Sequence, residues 1–108
     1  MANTFVNYLA KNVGTSAVTV HTGASATQTT VIGLLCANTS ASPVTVDVYI
    51  TQSAVDYYLV KGATVPTGGS LVVVGGDQKV VLEASDELKV ISSAANSIDV
   101  VAASLEIT

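Results

Sequence analysis

The stretch Val44–Thr51 constrains this chain more than any other. Val44, Val46, Val48 and Ile50 fall on one side of it, and Thr45, Asp47, Tyr49 and Thr51 on the other. A period of two residues is the mark of a strand with one face on a core and one face turned away. The residue types agree, because Val, Ile and Thr are stiff at χ1 and fit a pleated surface better than a helix. The same signal recurs along the chain. Ala17–Thr22 alternates, with Val18 and Val20 on one face against Thr19 and His21 on the other. Thr29–Asn38 is almost continuously apolar, which predicts a central strand buried, or nearly so, on both faces, with a bulge or close backbone approach at Gly33.

Turn signals divide the rest. Asn38–Pro43 is a turn cluster, and the strands on either side of it are expected to pair as a hairpin. Gln52-Ser53-Ala54 turns into a strand over Val55–Lys61. Val65-Pro66 leads into the turn Thr67-Gly68-Gly69. Leu71–Val74 and Lys79–Glu83 are expected to form a second hairpin across the loop Gly75–Gln78, where glycine supplies positive φ. Ala84-Ser85-Asp86 turns into Glu87–Ser92, and Ile98–Ile107 closes the chain. Thr4–Lys11 has mixed periodicity, compatible with a strand or a helical turn. It is taken as extended, with residues 1–12 as an N-terminal arm. About eight strands, with a turn roughly every ten residues, predict an all-β chain. The expected architecture is a single antiparallel β-sandwich or jelly roll over residues 1–108, with a barrel as the alternative.

Charged residues make up only 11% of the chain against 49% hydrophobic, where an ordinary soluble domain carries roughly 25% charge. Disorder is excluded by the abundance of apolar surface. Ser and Thr must supply much of the polar exterior, and some apolar surface is expected to stay uncovered until a partner buries it. The net charge is −4, there is no Arg, and Lys11, Lys61, Lys79 and Lys89 are dispersed. Nucleic acid is therefore not an expected partner, since nothing forms a basic stripe to neutralise phosphates. No apolar run approaches the roughly 20 residues of a membrane span. The start, Met1–Thr4, lacks the basic region and apolar core of a signal peptide. The single cysteine, Cys36, is expected to be a buried small hydrophobe in a protein made in a reducing compartment. The sequon Asn38-Thr39-Ser40 is read as chance.

The inventory for chemistry is thin. His21 is the one histidine and is expected to be an exposed or interface strand residue. No Gly-x-Ser-x-Gly elbow is present. Glu83, Asp86 and Glu87 cluster around one turn but match no calcium-loop pattern and are read as a solvated acidic turn. Gly68, Gly69, Gly75 and Gly76 lack the Lys-Ser/Thr ending of a phosphate loop and are read as turns. No catalytic, cofactor-binding or metal-binding residue is assigned, and no cofactor is expected. The candidate partner-binding residues are Tyr49, Tyr57 and Tyr58. Tyr49 lies on the polar face of its strand. Tyr57 and Tyr58 are neighbours pointing to opposite faces, so one is expected in the core and the other, with Tyr49, outside as an anchor.

The stretch Gly33–Ile50 continues through Asp56–Lys61, Val65-Pro66, Gly69–Leu71, Val74–Lys79 and Leu82–Val90. In these turn-and-strand signatures the chain resembles small virion-associated structural proteins of tailed bacteriophages, including marine and cyanobacterial ones. That resemblance implies a β-sandwich module in the virion, non-enzymatic and homo-oligomeric, assembled in the host cytoplasm. Its expected partners are other virion proteins, either the major capsid protein or neck and tail proteins. Capsid decoration is the leading expectation. A neck, tail or fibre accessory protein and a carbohydrate- or receptor-binding module are the alternatives.

Overall fold

A computed structural model of the chain describes residues 2–108. Among these residues there are nine strands and no helix: β1 (Asn3–Val13), β2 (Val18–Thr22), β3 (Gln28–Asn38), β4 (Val44–Gln52), β5 (Val55–Val65), β6 (Ser70–Val74), β7 (Val80–Leu82), β8 (Glu87–Ser92) and β9 (Ile98–Ile107). They build two antiparallel sheets. Sheet A runs β1-β9-β3-β6, with β7 also paired to β3, and sheet B runs β2-β8-β4-β5. β6 pairs with Leu34–Ala37 and β7 with Thr29–Val31, in the same direction along one edge of β3. Counted as one interrupted strand, β6 and β7 give an eight-stranded jelly roll, within the all-β class expected.

Two expected hairpins are not formed. The first, between β3 and β4, is replaced by a crossover from sheet A to sheet B. Asn38 fixes that corner. Its Nδ2 donates to the carbonyls of Ser42 and Val65, and its Oδ1 accepts from the Ser40 amide and hydroxyl. This buried amide has its polar capacity filled, which holds the chain in a path that leaves sheet A. The second, across Gly75–Gln78, is absent because β3 offers a long edge to both short strands, and their backbone groups bond to β3 instead of to each other. The hairpin that does form joins β4 to β5. Ser53 and Ala54 take φ of 52° and 64° at its tip, the positive pair that matches strand twist in a two-residue turn.

β1 is an edge strand that takes in residues 3–12 of the expected arm and is zipped to β9 from Asn3↔Ile107 to Val13↔Ile98. Met1 lies outside the described residues. The predicted irregularity at Gly33 is a bulge between Val31 and Gly33. A second bulge lies between Thr19 and His21 in β2. It inverts the expected alternation there, and His21 turns inward beside Val18, opposite the buried Leu88.

The core is built from small branched side chains. Val13, Val31, Val46, Val48, Val65, Val74, Val90 and Val100 are buried between the sheets with Leu34, Leu82, Leu88 and Ile98. The valine face of β4 points into it as the alternation requires. Gly23 closes one end: its amide donates to the Asp86 carbonyl and its carbonyl accepts from Ser85. A Cβ there would sit 2.1 Å from the Glu83 carbonyl oxygen.

Val46→Ala and Val48→Ala are each expected to cost about 1–3 kcal/mol in urea unfolding. An unchanged midpoint for both would show that this face is not core. Gly23→Ala is expected to cost at least about 1–3 kcal/mol, because backbone rather than a yielding side chain opposes the new methyl. A neutral result would mean that the 23–86 contact is not held in solution.

Candidate functional site

Sheet A carries the most unusual surface of the molecule. Five large apolar side chains stand out from its strands: Phe5 (76% exposed), Leu9 (63%), Val72 (64%), Val81 (63%) and Val101 (46%). Register places them in rows. Leu9, Val101, Leu35 and Val72 are Cα partners across four adjacent strand positions, so they share the outer face. Phe5, Leu105, Thr30 and Val81 make a parallel row. Between the rows lies a third of small residues, Asn7, Ala103 and Gly33. The result is two apolar ridges flanking a shallow trough. The strand expected to be buried on both faces, β3, is buried on the inner face alone; Thr30, Leu35 and Ala37 on its outer face are only partly covered. Isolated exposed hydrophobes need no explanation, but a continuous array of this kind marks an interaction surface.

The tyrosines lie on sheet B. Tyr49 points outward from β4 and is covered by Tyr58, with ring centroids 5.0 Å apart and planes tilted by 39°. Burial, then the negative charge of Asp56, pushes the Tyr49 phenol above its ordinary pKa. Lys61 Nζ lies 4.4 Å from the Tyr58 ring centre, a cation–π contact. Tyr57 points to the other side of β5, in register with Ile50. It borders an open groove with Ile50, Gln52, Val81, Glu83 and Asp86. Neither Tyr57 nor Tyr58 is in the core, contrary to expectation: they are 57% and 45% exposed. β5 is an edge strand, and at this end its inward side looks into the groove instead of onto sheet A. The structure thus joins Tyr49 and Tyr58 and leaves Tyr57 apart.

The inward turn of His21 creates a polar link between the sheets that the alternation did not reveal. Its ring stacks on Tyr8 of β1, with centroids 3.7 Å apart and planes at 6°. The Tyr8 hydroxyl donates to the Glu106 carboxylate of β9. His21 Nε2 lies 3.8 Å from that same carboxylate and is closed off from solvent. Burial pushes the His21 pKa below its ordinary value, with Glu106 opposing. Burial, followed by the Glu106 bond, pushes the Tyr8 phenol up. With one face under Tyr8 and Nε2 enclosed, the imidazole is placed to join β2 to sheet A.

The remaining candidates are absorbed by the fold. Asp86 is buried, and its carboxylate accepts from Gln52 Nε2 and the Glu83 amide, stapling the turn read as solvated. No group of three or more His, Cys, Asp or Glu side chains suited to a metal occurs among the described residues. Cys36 is fully buried, and burial pushes its thiol up to about 12. The Asn38 amide is enclosed by its hydrogen bonds, consistent with a chance sequon.

No protein-family model matches the chain, and no curated protein matches it. Solved structures do share its fold. One comes from Bacillus endospore appendages, described as a family of disulfide-linked pili, at 16% identity and TM-score 0.58, covering 99% of this chain and 87% of that one. Another comes from the viral particle of infectious bursal disease virus, at 12% identity and TM-score 0.53, covering 96% of this chain and 34% of that one. The VP2 subviral particle of the same virus gives 15% identity and TM-score 0.53, covering 97% and 32%. This chain therefore spans about a third of the capsid chains and most of the pilus chain. The likeness shows a shared β-rich fold.

The unfolded chain takes up a proton on His21 that the folded protein resists. The contribution of His21 to stability is therefore complete above its unfolded pKa near 6.5 and is lost as pH falls through the lower folded value. His21→Gln is expected to flatten the fall in unfolding midpoint between about pH 7.5 and 5. An unaltered slope would show that His21 is not held in this cluster.

Proposed function

We propose that this chain is a non-enzymatic structural subunit of a multi-copy particle, a virion protein of the capsid-decoration kind that meets neighbouring subunits through the outer face of sheet A. The observation that carries the reading is the pair of apolar ridges on that face. A β-sandwich working alone has no use for Phe5, Leu9, Val72, Val81 and Val101 in ordered rows on its exterior, whereas a subunit packed among others does. The solved structures that share its fold come from a pilus and from viral capsids, assemblies of many protein copies. That agrees with the reading. The thiol of Cys36 is buried in the core, so assembly here rests on packing, not on disulfides between subunits. Tyr58, with Lys61 beside it, offers a second contact on the opposite sheet. It suits the polar rim of an interface with a capsid, neck or tail protein.

Copy number in purified particles of the source, measured by quantitative mass spectrometry, tests this. A count comparable to the major capsid protein is expected. A single ring's worth would place the chain in the neck, tail or fibre instead, and absence from the particle would overturn the virion reading.

A further inference from the structure

We propose that the neighbour covering the outer face of sheet A is a second copy of this chain, packed sheet against sheet about a two-fold axis. This rests on the reading of that face as a subunit interface and names its occupant.

Three observations point to self-pairing. The first is size. Four strand positions at about 4.8 Å, by about ten residues at 3.3 Å, give a face of roughly 600 Å². Two copies would bury roughly 1,200 Å², at the threshold of specific, stable interfaces. The second is charge. The strands of sheet A hold only Lys11, Asp99 and Glu106. Lys11 and Asp99 pair with each other at 3.3 Å near one end of the face, and Glu106 is turned toward Tyr8. The chain carries a net charge of −4, yet the strands of sheet A add no unpaired charge to this face, Lys79 and Glu83 lying just beyond the ends of β7, and a self-complementary patch requires that its centre not repel its own image. The third is relief. The trough at Asn7, Ala103 and Gly33 lies two residues along β1 from each ridge. A ridge of one copy can therefore enter the trough of the other, the interdigitation that packed sheets use. A Cβ on Gly33 would meet nothing nearer than 3.9 Å, so the trough is open to such a side chain.

Sedimentation equilibrium of the full chain, run beside incorporation of the same variants into particles, tests this. A species of twice the 10.9 kDa chain mass is expected. Leu9→Glu and Val101→Glu should each weaken the dimer at least tenfold, while Tyr58→Ala on sheet B leaves it unchanged. Val72→Thr, which keeps strand shape, should weaken it with the fold intact by circular dichroism. A dimer that survives the three sheet A changes but separates with Tyr58→Ala would overturn the proposal. If the chain is monomeric at every concentration while the sheet A variants still lose incorporation, self-pairing fails and the subunit reading stands. If it is monomeric and those variants incorporate normally, both fail.

Discussion

β3 holds sheet A together. It pairs with β9 on one side and with both β6 and β7 on the other, so it must be long and able to pack on two sides. Its sequence answers with a nearly unbroken apolar run. The inner half of that run, Val31, Leu34 and Cys36, fills the core between the sheets. The outer half cannot be polar without breaking the run, and no element among the described residues covers it. Much else follows from this imbalance. The interrupted edge strand exists because β3 has edge to spare. The apolar ridges exist because the neighbours of β3 continue its outer rows.

Sheet B shows the opposite design. Its inner face is valine and leucine, but its outer face carries Thr45, Asp47, Tyr49 and Lys89. That face is finished by its own residues: Tyr58 covers Tyr49, and Asp47 Oδ1 accepts from the amide of Gly62. The two ends of the molecule are closed by polar groups that no alternation pattern displays, Asn38 at one corner and Asp86 at another. The Tyr8–His21–Glu106 group ties β2 to sheet A at a third. A mostly valine core, with few large side chains, relies on such fixed corners to choose one packing arrangement.

Fold class was legible in the sequence because it depends on local periodicity. The Val44–Thr51 pattern fixed the inward face of β4 correctly, and the spacing of turns pointed to about eight strands where nine form. Pairing was not legible where it depends on which edge is free. Both missed hairpins were inferred from adjacency in the chain, and both were displaced by the long edge of β3 or by the Asn38 corner. His21 was misplaced for a similar reason: one extra residue in β2 inverts the alternation, and neither Gly nor Pro marks it. The sheet A face had a visible signal, an apolar run too long for a single buried face, but its natural reading was burial on both sides within one chain. The tyrosines were located by type, yet their exposure depended on β5 being an edge.

On the proposed packing, the outer face of sheet A is covered when the protein is assembled. Hydroxyl-radical footprinting reads this directly at Phe5 and Leu9, with Tyr57 on the other sheet as the internal reference. Phe5 and Leu9 are expected to react far more slowly in the assembled protein than their exposure in a single chain would allow, and dilution is expected to restore them while Tyr57 stays constant. Full reactivity of Phe5 and Leu9 at every concentration and in the particle would contradict it.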